Sequence, residues 1–467
     1  MKTEEKSAAP KPVTTHRAIR TFVTARDTGQ RLSEGATLFF GPNETPLAAP
    51  AILVDSGKRF QRIEGFGGAF TEAAAVTLGK MSEGVRAEAV AAYFDPGQGH
   101  GYSLCRTHMN SCDFSVGNYA CCDTDGDTRL ETFHLDREKQ ALLPLIQQAI
   151  RAAGQPIKLF VSPWSPPAWM KTTGKMNEGG KLKPEFQQAW AQYYCRFIQE
   201  LEREGVPVWG LTVQNEPEAV QTWDSCVYTP AEECDFIRDY LGPTLEAEGL
   251  GRLKLIIWDH NRDRAVHRAK AIYDDPKAAR YVWGLGFHWY SQSCFDNIRL
   301  IHDAWPDKEL LFTEGCQEGG PSTGSWAAGE RYGESIISDL NRWTTGWVDW
   351  NLALDEKGGP NHVGNFCSAP ILCDTVKDEL LYQPSYFYIG HFSRTIRPGA
   401  ERVLCASTHD TLEVTAARNQ DGSIAVVVMN RTESPIDFTL NFEDLAANVT
   451  SPRRSIVTLT FQETAAT

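Results

Sequence analysis

Between residues 62 and 354 the chain repeats one pattern eight times: a short apolar run, then an amphipathic stretch. The runs are RIEGFGGAF (62–70), YSLCRTHM (102–109), IKLFVSP (157–163), VWGLTVQNE (208–216), LKLIIWD (253–259), WGLGFHWY (283–290), ELLFTEG (309–315) and GWVDWNLAL (346–354). Runs of this length read as strands. Stretches such as EAAAVTLGKMSEGVRAEAVAAYF after the first, PEFQQAWAQYYCRFIQELEREG after the third and ERYGESIISDLNRW after the seventh read as helices. Eight strand–helix units within about 330 residues is the count that closes into an eight-fold β/α (TIM) barrel. An open doubly wound sheet is the alternative, but it wants a Gly-rich phosphate turn, and GFGGAF opens no GxGxxG.

Outside this span the pattern changes. From about residue 401, RVLCAS, TLEVTAARN, SIAVVVMN, IDFTLNF and SIVTLTFQ alternate with no helix between them, and NQDGS supplies a hairpin turn. AIRTFVTAR and AILVDSGKRF near the N-terminus are of the same kind. The expected organisation is an N-terminal tail with strands joining a β side domain (1–60), a barrel (61–396) and a C-terminal all-β, sandwich-like domain (397–467). The first 15 residues read as a loose tail. A net charge of −14 removes the electrostatic footprint of nucleic-acid binding and opposes anionic membrane surfaces. No apolar run reaches the roughly 18 residues of a membrane span. The leading MKTEEKSAAPKPVTT shows no secretory signal, and twelve scattered cysteines fit a reducing compartment, so the expected location is the cytoplasm. The adjacent Cys121 and Cys122 read as loop thiols, and no cysteine or histidine spacing suits a metal.

In a β/α barrel the site lies at the C-terminal ends of the strands. Those positions hold Glu72, Arg106, Trp164, Asn215, Glu216, Trp258, Asp259, His288, Tyr290, Glu314, Trp347 and Trp350. Eight of the thirteen tryptophans (164, 169, 223, 258, 289, 326, 347 and 350) fall at or just after these ends. Indole faces stack on the C–H faces of sugar rings, while carboxylates and amides bind hydroxyls; each of these residues taken alone also reads as core bulk. Glu216 and Glu314 end the fourth and seventh runs and face one another across the mouth. A carboxylate there is costly unless paired or functional. A glycosidase needs such a pair, one to protonate the leaving oxygen and one to attack the anomeric carbon; an Arg-paired core charge is the alternative for either one.

FGGAFTEAAA, SCDFS, SPWSPPAWMKTTG, LTVQNEPEA, HWY, FTEGC and GWVDWNLAL followed by GGPNHVGNF resemble, in order, the motifs of glycoside hydrolase family 30, and within it the glucosylceramidase branch. The resemblance runs from about residue 60 to residue 430. It implies a β/α barrel fused to a β side domain and a retaining β-glycosidase without metal or cofactor. Glu216 matches the general acid/base, Glu314 the nucleophile, and Asn215 the residue that binds the sugar 2-hydroxyl. Trp164, His288, Tyr290, Trp350 and Asn365 match positions lining the glycone pocket, and Arg106 one that supports the nucleophile.

Three departures bear on specificity. Glu72 stands where the branch has Asp, and its extra methylene moves the carboxylate by about 1.5 Å, so it is expected to set hydroxyl preference. His362 replaces a Trp expected near the pocket entrance. The loop EAVQTWDSCVYTP looks more like bacterial and fungal members, some of which cut β-1,6-glucans, and Trp223 in it is placed to stack on an aglycone sugar. The expected substrate is a terminal β-glucoside or β-linked oligosaccharide, glycolipids included. A β-1,6-glucanase or β-xylosidase of the same family and a non-catalytic carbohydrate-binding barrel are the alternatives. Oligomeric state is not legible.

Overall fold

The computed structural model of the chain describes residues 17–43 and 50–463; the segment read as a loose tail lies outside them. The chain divides at 59/60 and 402/403 into two units. The sequence reading puts these boundaries at 60/61 and 396/397.

The larger unit, residues 60–402, holds a closed ring of eight parallel strands. They are β1 (Gly65–Phe70), β2 (Leu104–Met109), β3 (Lys158–Pro163), β4 (Gly210–Thr212), β5 (Lys254–Asn261), β6 (Val282–His288), β7 (Glu309–Glu314) and β8 (Thr344–Asn351). The ring closes where Gly346 and Trp347 of β8 pair with Gly65 and Phe66 of β1. Leu104, Phe160, Ile256, Leu311 and Val348 form one buried cluster contributed by five strands, as a barrel interior packed with branched side chains requires. Gly67 allows the closest approach: a Cβ there would lie 1.6 Å from the Leu104 carbonyl oxygen.

The first helical stretch is two helices, Glu72–Lys80 and Glu83–Phe94. Thr71 caps the first by accepting from the Ala74 N–H, and Ser82 caps the second by accepting from Val85, so the chain restarts at Met81–Ser82. The eighth run also divides. Its ladder ends at Asn351, and Ala353–Asp355 joins a separate three-stranded sheet with Ile371–Asp374 and Glu379–Tyr382.

β4 is the largest departure from the sequence reading, which extends it from 208 to 216. Regular pairing ends at Thr212, but the Val213, Asn215 and Glu216 N–H groups still bond the Ile256, Pro163 and Asp259 carbonyls of the flanking strands β5 and β3 at 3.0, 2.9 and 3.0 Å, in an irregular extension of the strand. β5 runs two residues further than read, with a register shift between Trp258 and His260.

The smaller unit is all β. Its two chain ends meet in one sheet: Ala18–Ala25 pairs antiparallel with Ser455–Gln462, and Ile436–Phe442 pairs parallel with the start of Ala51–Arg62. Leu412–Arg418 and Ser423–Asn430 form the hairpin around NQDGS, with Gly422 at φ 79° in the turn. Leu412, Val414 and Ala416 face its core at every second position.

Candidate active site

A cavity of about 300 Å³ opens among the C-terminal ends of the barrel strands, and Trp164, Asn215, Glu216, Tyr290, Glu314, Trp350 and Asn365 all line it. These seven residues singled out from the sequence, and Trp223 with them, are thus brought to one surface.

Arg106 is fully buried behind that surface. Its guanidinium donates to Glu314 Oε2 at 2.6 Å, Asp259 Oδ2 at 2.6 Å, Asn215 Oδ1 at 2.9 Å and Ser162 Oγ at 3.0 Å, linking β2 to residues from or beyond β3, β4, β5 and β7. The rigid fork suits this: one planar cation satisfies four acceptors. Because the Asn215 oxygen is taken by Arg106, its amide N–H₂ is the group left for a hydroxyl. The Tyr290 hydroxyl donates to Glu314 Oε1 at 2.9 Å, so both oxygens of this carboxylate are held. Trp164 and Trp350 stack at 5.1 Å, with the Arg106 guanidinium 4.7 Å from the Trp164 ring centre.

Glu216 is held differently. It sits at φ 47°, and Trp258 and Asp259 beside it on β5 lie at φ 71° and 50°. Three non-glycine residues in the left-handed region mark stored backbone strain, on the order of 1–3 kcal/mol each, of the kind found at functional sites. His288 Nδ1 lies 3.2 Å from Glu216 Oε1, and its Nε2 lies 2.9 Å from Asp259 Oδ1. Burial opposes charge on His288, yet the Glu314, Asp259 and Glu216 carboxylates outweigh it and push its pKa up to about 9. Burial raises Glu216, but the His260 and His288 charges outweigh this and hold it below the ordinary carboxylate range. Glu314 is raised by burial and by the Glu216 and Asp259 charges, against the pull of His288 and Arg106. The opposite directions of the two shifts favour the proton of this pair on His288.

Three sequence expectations need correction. Glu72 does not line the cavity. It begins the helix that follows β1, and its carboxylate accepts from the Arg137 guanidinium at both oxygens and from the Val116 N–H at one. His288 is fully buried behind Glu216 rather than lining the glycone pocket, because Asp259 holds its ring inward. His362 is likewise off the cavity, 3.6 Å from Asp224. The tryptophans divide: Trp164, Trp223 and Trp350 line the cavity, whereas Trp347 is fully buried and stacked on Phe312 at 4.3 Å, and Trp258 and Trp289 are buried with their N–H groups bonded to carbonyls.

Sequence reasoning also missed lining residues. Asp113, in the SCDFS motif, is buried and accepts from Asn365 and Asn361 at 3.1 and 3.3 Å; burial and the Glu314 charge push its pKa up to about 8, so it faces the cavity as a neutral carboxyl. His260, one residue beyond Asp259, also lines the cavity, as do Gln221, Glu318, Cys316 and Cys367. SCDFS, FTEGC and the loop EAVQTWDSCVYTP were the available signals for Asp113, Cys316 and Gln221; nothing in the pattern announced His260, Glu318 or Cys367.

Residues 63–396 match the model of the glycosyl hydrolase family 30 TIM-barrel domain, and residues 399–459 that of the family's beta sandwich domain. The chain is 38% identical over 420 residues to the lysosomal acid glucosylceramidase of Mus musculus, covering 86% of this chain and 81% of that protein. It is 27% identical over 408 residues to an endo-1,6-beta-D-glucanase of Neurospora crassa, covering 82% of each. The crystal structure of SrfJ from Salmonella typhimurium superposes with a TM-score of 0.92 at 38% identity, over 96% of this chain and all of that one.

Proposed function

The chain belongs to glycosyl hydrolase family 30 and acts on O-glycosyl bonds, and on that footing we propose that it hydrolyses terminal β-glucosyl residues with retention, Glu314 as nucleophile and Glu216 as general acid/base. The observation that carries the roles is the unequal support of the two carboxylates. Glu314 is clamped at both oxygens by Arg106 and Tyr290, which fixes it for attack and stabilises its charge. Glu216 is backed by a histidine that carries a proton, the position of a group that must donate and later remove one.

The first step forms a bond between the anomeric carbon and a Glu314 oxygen and breaks the bond to the leaving oxygen, which takes its proton from Glu216. Proton transfer from His288 to Glu216 lets the acid act although its own pKa lies below the ordinary carboxylate range. Water then attacks the ester, losing a proton to Glu216 and freeing Glu314 with the β configuration restored. Asn215 and neutral Asp113 supply hydrogen bonds to hydroxyls, and the Trp164–Trp350 stack supplies an apolar wall. Glucosylceramide is the first natural substrate to test, given the 38% identity to a glucosylceramidase.

A β-1,6-linked glucan is the second reading, favoured by Trp223, Gln221 and Glu318 in the cavity lining, an aromatic and two polar groups suited to a second sugar. Hydrolysis of aryl β-glucoside, β-xyloside and β-galactoside, glucosylceramide and a β-1,6-glucan, with the first-formed anomer followed by NMR, tests both readings. The expected result is preference for β-glucoside with the β anomer appearing first. An α anomer first, or no turnover of any β-glycoside, contradicts the proposal.

A further inference from the structure

Three potential ligands converge beside the cavity: one ligating atom from each of Glu216, His260 and His288, all within 4.8 Å of one another. The two measured edges of this triangle are 3.2 Å from Glu216 to His288 and 3.5 Å from Glu216 to His260. With metal–ligand bonds of about 2.0–2.2 Å, neighbouring ligands of a tetrahedral Zn²⁺ stand about 3.3–3.6 Å apart; the Glu216–His260 edge falls in that range and the Glu216–His288 edge is just short of it. His260 Nδ1 is a buried nitrogen with no hydrogen-bond partner among the described residues, and it faces the carboxylate. Behind the triangle, Asp259 holds His288 Nε2 at 2.9 Å, the outer carboxylate that commonly orients a metal-binding histidine. The fourth tetrahedral direction is left to the cavity that both Glu216 and His260 line.

We propose that Glu216, His260 and His288 form a site for a borderline divalent cation, Zn²⁺ first among them, and that the bound cation arrests hydrolysis by occupying the acid/base carboxylate. Two imidazoles and one carboxylate select Zn²⁺ or Cu²⁺ over Mg²⁺, which demands an oxygen octahedron. Binding forms two nitrogen–metal bonds and one oxygen–metal bond and releases the proton shared by Glu216 and His288. The arrest rests on Glu216 being the acid/base; the binding does not.

The test uses the full chain, stripped with a chelator, and ZnCl₂ alone. Calorimetry should show Zn²⁺ binding that weakens at least tenfold in His260→Phe and in His260→Asn, the second variant guarding against a folding defect in the first. Co²⁺ should give the intense visible bands of a tetrahedral site in the unmodified protein and lose them in both variants. Zn²⁺ should inhibit aryl β-glucoside hydrolysis, at least tenfold more weakly in each variant when referred to its own metal-free rate, and Mg²⁺ should not inhibit. Cys316 and Cys367, which share the cavity, are the competing ligands. If Cys316→Ser/Cys367→Ser abolishes Zn²⁺ binding while the His260 variants keep it, the proposed site is wrong. If binding depends on His260 yet hydrolysis is unaffected, the arrest is overturned together with the role given to Glu216.

Discussion

Arg137 holds Glu72 away from the cavity, so the carboxylate that departs from the family pattern serves the fold. Glu72→Gln removes one charge of a largely buried pair and should lower stability by about 2 kcal/mol, with losses in kcat/KM that are equal for β-glucoside, β-xyloside and β-galactoside. A change of more than about tenfold in the ratio between two sugars, about 1.4 kcal/mol, contradicts this. The pH profile follows from the proton on His288. With Glu314 raised above the ordinary carboxylate range by burial and by the Glu216 and Asp259 charges, activity should fall on the acidic side as the proposed nucleophile takes a proton. It should fall on the basic side as the Glu216–His288 pair loses its proton near pH 9. The two limbs belong to coupled groups. His288→Asn removes the group that stores the proton and should bring the basic limb down by more than about one pH unit; an unmoved basic limb would show that His288 stores no proton for the reaction.

Strand β4 shows where the sequence is and is not legible at the scale of elements. VWGLTVQNE is apolar enough to read as one strand, but regular pairing is confined to Gly210–Thr212, and Asn215 and Glu216 bond the Pro163 and Asp259 carbonyls of the flanking strands out of regular register. Periodicity reports burial, and an irregular buried segment carrying a strained carboxylate residue looks the same. All eight barrel strands were nonetheless placed, because the alternation of apolar runs and helices is repeated and each run alone need not be certain. Glu216 and Glu314 were legible because a carboxylate ending a buried strand is anomalous. His260 was not, because one polar residue past a strand end is ordinary. Gly67 is a prediction at this scale. Its Cβ would meet the Leu104 carbonyl of the neighbouring strand, and backbone cannot move aside without opening the β1–β2 ladder. Gly67→Ala should cost about 3 kcal/mol or more, read as a lower denaturant midpoint. A loss below about 1 kcal/mol would mean the barrel relaxes at its first strand.

For the molecule as a whole, charge and surface bear on which substrates it meets. No helix among the described residues is long and apolar enough to cross a membrane, and the net charge is −14. If glucosylceramide is a substrate, its hydrolysis should be severalfold slower in vesicles rich in anionic lipid than in neutral ones, and the difference should shrink as salt shortens the Debye length from about 30 Å at 0.01 M to about 8 Å at 0.15 M. Equal rates at low salt would show that the negative charge lies away from the approach to the lipid. The central claim, that Glu314 forms a glycosyl ester with Glu216 as its acid/base, is tested most directly in Glu216→Ala given dinitrophenyl β-glucoside. The good leaving group needs no proton, so the ester should form, persist for want of a base, and appear in the intact mass as one added glucosyl residue mapping to Glu314; azide, which needs no base, should release β-glucosyl azide. An adduct on any other residue, an α-glucosyl azide, or the same adduct in Glu314→Gln would contradict the account.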